Sequence, residues 1–220
     1  PPSDPRAREQ ELDRRVFRVR LGSTLFVALD SNEAIDEMSP QLAFLDRVLE
    51  DERPFTKFSI LAMHQGPLSS GRHGGHPSAE AILAHARAGR VSAIVSGHDH
   101  LYQRIERGGM TFVVSGGGGA PLYGLGTLAV GSKAFVPTHH FTTLEVKNDR
   151  IELEAIDIDG VRIDRATIPP QETRKTRPAE TVKKPREHGR AIDDRAWLAG
   201  AAALLGIGFL VAVVRIARGQ

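Results

Sequence analysis

Gly97-His98-Asp99-His100-Leu101-Tyr102-Gln103-Arg104 follows the apolar run Val91-Ser92-Ala93-Ile94-Val95, so two histidines stand at the end of a predicted strand. Residues two apart on a strand share a face, which would let His98 and His100 point into one site. Gly97, lacking a side chain, would let the backbone turn there. A lone His-x-His pair carries little by itself. Upstream, however, Phe58-Ser59-Ile60-Leu61-Ala62-Met63 is a second apolar run, and it ends in His64-Gln65-Gly66-Pro67. Two buried strands that each end in histidine place metal ligands at the carboxyl edge of a sheet, where open α/β sheets hold their ligands.

The same residues resemble a family. Gly97-His98-Asp99-His100 resembles the Gly-His-x-His signature of calcineurin-like metallophosphoesterases, and the Tyr102-x-Arg104 tail is similar to the purple acid phosphatase branch. His64-x-x-Pro67 resembles the isolated metal-ligand histidine one strand earlier. Ser115-Gly116-Gly117-Gly118-Gly119-Ala120-Pro121 is similar to the glycine-rich loop that often follows in that branch. The resemblance covers residues 15 to 165 and implies an α/β fold, the C-terminal half of a four-layer α/β/β/α sandwich.

It also implies a chemistry, the hydrolysis of a phosphomonoester or diester at a binuclear metal site. The resemblance places His64 and His98 on one metal and His100 on the other. Two such ions lie ~3.5–4 Å apart, acidify a bridging water and neutralise phosphoryl charge during in-line displacement. Imidazole suits iron, zinc and manganese alike, and the absence of cysteine excludes thiolate ligands. His73 matches by spacing the loop histidine that, in the purple acid phosphatase branch, contacts the phosphate or protonates the leaving group. His76 and Arg72 stand as alternatives on the same loop. Asp99, at the variable position of the motif, is expected behind the ligands or in solvent. The glycines from Gly116 to Gly119 lack the lysine and the helix signature of a phosphate loop, and suit close backbone approach to the metal site instead.

The family's Asp-x-His, Gly-Asp-x-x-Asp and Gly-Asn-His motifs do not occur, and the chain opens on Pro1. The expectation is the C-terminal part of a longer protein whose N-terminal part brings the carboxylate ligands, with the 220-residue chain inactive alone. The alternative, from a different class, is a non-catalytic binding module on the same fold. Upstream sequence discriminates between them.

Composition suits one domain with appendages: 40% hydrophobic, 25% charged, net charge +2. The basic residues cluster from Arg174 to Arg195 without interleaved aromatics or a recognition motif, which argues against a nucleic-acid surface. Residues 1–14 read as a flexible charged lead-in and 15–168 as the metallophosphoesterase part. Within it, strands are expected at Val16–Val19, Thr24–Leu29, Tyr102–Glu106, Met110–Val114, Phe141–Val146 and Arg150–Ile156. Helices are expected from Pro40 and from Ser78, the latter as an N-cap. Residues 169–195, rich in proline, lysine and glutamate, read as a disordered linker. The uncharged stretch 196–214, with Trp197 near one end, predicts a transmembrane helix, and 215–220 a basic tail. The expected location is therefore membrane-anchored, with the domain extracytoplasmic.

Overall fold

The computed structural model describes residues 15–170 and 212–216. The charged lead-in, residues 171–195 of the linker and residues 196–211 of the apolar stretch lie outside them.

Phe17–Leu21 (β1) and Thr24–Ala28 (β2) form an antiparallel pair across Gly22. From β2 the chain builds a parallel core with Phe58–Met63 (β3), Ala93–Ser96 (β4) and Met110–Ser115 (β6). Tyr102–Arg107 (β5) inserts antiparallel between β6 and Ser132–Val136 (β7), giving the order β1-β2-β3-β4-β6-β5-β7. The β5–β6 hairpin turns on Gly108 and Gly109, at φ +61° and +77°, the doubly left-handed geometry of a tight hairpin that glycine accepts without strain.

Pro40–Glu52 (α1) and Ala79–Ala88 (α2) are the crossovers from β2 to β3 and from β3 to β4. Their apolar stripes, Leu42, Leu45 and Leu49 on α1 with Ile82 and Leu83 on α2, pack on Leu25, Leu61, Ile94 and Phe112 of the sheet. Ser39 caps α1 by accepting from the backbone N–H of Gln41 at 3.2 Å. The expected Ser78 cap is different: its hydroxyl makes no cap hydrogen bond, and its N–H instead donates to His76 Nδ1 at 3.0 Å.

Every residue of β3, β4 and β6 is buried, because both faces of the larger sheet are covered. The second cover is a four-stranded sheet, ordered Arg162–Ile168 (β10), Ile151–Asp157 (β9), His140–Val146 (β8) and Ala212–Ile216 (β11). Alternate residues of β8 and β9 turn inward, so Leu144, Leu153 and Ala155 meet Phe58, Ile60, Val95 and Val113. The described residues therefore form three layers, α/β/β, consistent with the expected C-terminal half of a four-layer sandwich. Both described helices serve the larger sheet. The outer face of the smaller one carries Glu152 and Glu154 paired with Arg150, Arg162 and Arg165.

Among the described residues no helix is long and apolar enough to cross a membrane. Ala212–Val214, expected at the end of a spanning helix, and Arg215–Ile216, expected in the tail, instead form β11. That strand runs parallel to β8 in the register Ala212↔Thr142 to Ile216↔Val146. The run Val213-Val214-Arg215-Ile216 is rich in β-branched residues, which suit an extended backbone beside an open sheet edge.

Candidate metal centre

The carboxyl ends of β3 and β4 are tied together where the histidines begin, the N–H of Gly97 donating to the carbonyl of His64 at 2.9 Å. Strand β4 stops at Ser96, so the period-two alternation expected to aim His98 and His100 together does not reach them. The turn falls on His98, at φ +64°, and not on Gly97. A side chain in the left-handed region costs about 1–2 kcal/mol, and such strain persists where the surroundings impose it, commonly at sites. Its effect is to re-aim the ring. His98 Nδ1 lies 3.1 Å from His64 Nε2, with the rings edge to face at 5.0 Å.

His100 turns elsewhere. Its Nδ1–H donates to the carbonyl of Pro121 at 2.8 Å, and its ring stacks on Tyr123 at 4.3 Å and 17°. A carbonyl only accepts, so the proton sits on Nδ1 and the lone pair of neutral His100 is left on Nε2.

Two imidazole nitrogens bound at about 2.0–2.1 Å to one metal stand roughly 2.8–3.4 Å apart, from octahedral to tetrahedral angles. The His64–His98 separation of 3.1 Å matches one edge of such a polyhedron. Burial pushes the pKa of His98 down, with His64 and His73 adding to the effect, so the neutral form that can ligate is favoured. The donors fit a metal, but as an edge and not a cage. Among the described residues no three of His, Asp and Glu are arranged to hold an ion.

The loop from Gly66 to Pro77 brings His73 to this pair, its ring 4.7 Å from that of His98 and 5.0 Å from Tyr123. Asp99, 1% exposed, is not in solvent; its carboxylate holds this loop. His76 is buried, with Nε2–H donating to the carbonyl of Ser31 at 3.2 Å and Nδ1 accepting from Ser78. Both its nitrogens are engaged, and of His73, His76 and Arg72 it is His73 whose ring meets that of His98. Gly116 does make a close backbone approach, though to the Asp99 carbonyl, which a side chain there would strike.

No family model and no curated protein sequence matches the chain. Solved structures do. A purple acid phosphatase from yellow lupin seeds is similar at a TM-score of 0.65 and 20% identity, over 70% of this chain and 32% of that one. GAP50, the anchor in the inner membrane complex of Plasmodium, is similar at 0.58 and 16% identity, over 93% of this chain and 62% of that one. The chain has the calcineurin-like metallophosphoesterase fold. It spans less than two thirds of either neighbour.

Within this metallophosphoesterase fold, three groups around the histidines escape sequence reading. Tyr123 packs against both His73 and His100 from a loop with no periodic pattern to mark it. Gln103, fully buried, binds Ser70 of the histidine loop and Ser132 at the start of β7. Asp164, from the unexpected strand β10, accepts from Tyr102 Oη at 2.7 Å and from Arg104 Nε and Nη2 at 2.7 and 3.2 Å. Burial works against the Asp164 carboxylate, but the hydrogen bonds from Arg104 and Tyr102 outweigh it and hold its pKa below the usual range. The Tyr-x-Arg tail of the motif thus clamps the two sheets together. Only the histidines face the site.

Proposed function

We propose that the chain is the histidine-bearing part of a binuclear metal-dependent phosphoester hydrolase, with His64 and His98 holding one ion and His100 contributing Nε2 to the other. The observation that carries this is the 3.1 Å approach of His64 and His98 across the ends of adjacent parallel strands, imposed by a left-handed backbone at His98. A half-buried pair of imidazole nitrogens at that distance suits a shared cation. The remaining ligands would come from residues outside those described.

Iron, zinc or manganese ions held there would supply positive charge to the phosphoryl oxygens and acidify a water. The chain's own groups do the rest. His64 and His98 present their ring nitrogens to one ion, His100 is held in one tautomer by the Pro121 carbonyl, and Tyr123 keeps its ring in place. His73 faces the substrate and protonates the leaving oxygen.

The test is hydrolysis of phenyl phosphate and bis(p-nitrophenyl) phosphate by the full-length protein loaded with each metal. Turnover that falls at least about 100-fold in His98→Ala, together with bound metal, supports the hydrolase. A full-length protein that binds the fold's ligands but turns over neither ester is the non-catalytic binding module.

A further inference from the structure

Asp99 stands between the two histidines of the motif, yet its carboxylate turns away from both. Oδ1 accepts from the backbone N–H of His73 at 3.0 Å and from His73 Nδ1 at 3.0 Å. Oδ2 accepts from the hydroxyl of Ser69, whose oxygen in turn accepts from the N–H of Gly71 at 3.0 Å. Gly71 lies so close to the carboxylate that a side chain there would collide with it. The group is 1% exposed and its partners belong to one loop, the loop that carries His73.

We propose that Asp99 is the positioning residue of His73, fixing both the loop and the ring so that Nε2 of His73 faces the phosphoester; this rests on the hydrolase reading above. An ionised carboxylate only accepts, so His73 Nδ1 carries a proton and Nε2 is the nitrogen left to face the site. Because one oxygen holds both the backbone N–H and the ring, the direction of the ring follows the position of the loop. His73 is 37% exposed at its side chain, and its ring also meets those of His98 and Tyr123, but Asp99 is the group that hydrogen-bonds it. The arrangement places a carboxylate behind an imidazole, the relation by which an acid–base histidine is kept in one tautomer and one orientation.

The step that uses it balances as follows. A water oxygen forms the new bond to phosphorus and releases one proton to solvent. The bond from phosphorus to the leaving oxygen breaks with its electron pair on that oxygen, which takes the Nε2 proton of the His73 imidazolium. Solvent returns a proton to Nε2. Throughout, Nδ1–H stays on Asp99.

The experiment measures the metal-loaded full-length protein on aryl phosphates whose leaving phenols range from phenol to dinitrophenol. A general acid matters most for the poorest leaving group, and it contributes about 10²–10⁴-fold. Asp99→Asn and His73→Ala should each lose about 100-fold on phenyl phosphate and less than about threefold on the dinitrophenyl ester, with metal content unchanged. The double variant should be no slower than His73→Ala alone. Long-range ¹H–¹⁵N spectra should show His73 protonated at Nδ1 in the wild type and a mixture of tautomers in Asp99→Asn. Should Asp99→Asn fail to fold, Gly71→Ala, whose Cβ displaces the carboxylate, should steepen the same dependence. An unchanged leaving-group dependence in Asp99→Asn, additive losses in the double variant, or an unchanged His73 spectrum would overturn the assignment alone. A metal-loaded wild type that hydrolyses none of the esters would overturn the hydrolase reading and this assignment with it.

Discussion

Gln103 grips Ser70 with both ends of its amide, Oε1 accepting the Ser70 N–H at 2.8 Å while Nε2 donates to the Ser70 hydroxyl. The same Nε2 reaches Ser132 at 3.0 Å, and the Ser70 hydroxyl accepts from the N–H of Ala129 at 2.8 Å. One buried amide therefore joins the histidine loop to the glycine-rich loop that carries Pro121 and Tyr123. Replacing Gln103 by Leu leaves the Ser70 N–H without a partner inside the protein, a loss of about 1–3 kcal/mol. The expected outcome is a lower denaturation midpoint together with faster amide exchange in both loops. Exchange that quickens in only one loop would show that they are not coupled through Gln103.

The clamp of Tyr102 and Arg104 on Asp164 fastens the second sheet to the first. Asp164→Ala takes the partner from Nε and Nη2 of a guanidinium that is only 11% exposed at its side chain, leaving it Glu106 alone. Breaking such a pair costs about 3 kcal/mol. For a chain of this size that lowers the melting temperature by roughly 6–12 °C. Calorimetry of the wild type and the variant measures it, and a shift under about 2 °C would mean that the sheets are held by apolar packing alone.

His140 sits 5% exposed between the sheets, Nδ1–H donating to the Thr138 carbonyl at 2.9 Å and Nε2 facing the Ser115 hydroxyl at 3.1 Å. Burial lowers its pKa, and the hydrogen bond to Thr138 offsets this only in part. The unfolded chain, with a histidine pKa of about 6.5, binds the proton more readily than the folded one. The contribution of His140 to stability is therefore fully present above that value and is lost as pH falls below it toward the lower folded pKa. Denaturant midpoints between pH 5 and 8 should decline on the acid side in the wild type and decline less in His140→Gln.

Parts of this architecture were legible in the residues themselves. The crossover helix α1 follows from Leu42, Leu45 and Leu49 at helical spacing, and β3 and β4 follow from unbroken apolar runs that only a doubly covered strand needs. Strand β10 was not legible, because Arg162-Ile163-Asp164-Arg165 looks like surface and its charges are spent on cross-strand partners. At the site, the motif showed which histidines gather but not how. The left-handed turn falls on His98 although a glycine precedes it, a choice that depends on the contact with His64 across the sheet edge. The burial of Asp99 depends likewise on a loop more than twenty residues away in sequence. Such pairings are long-range, and local patterns carry no trace of them.

The apolar stretch 196–214 is still proposed as a membrane tether, although its last three residues belong to β11. Removing residues 196–211 from the full-length protein, which keeps the residues of β11 in the chain, should shift it from the membrane to the soluble fraction. Retention in the membrane fraction would place the anchor elsewhere.

The central claim is that His64 and His98 share an ion. It is tested most directly by counting metal in the full-length protein after gel filtration, wild type beside His98→Ala. The account predicts about two ions per wild-type chain and one or fewer in the variant. Equal metal in both proteins would contradict it.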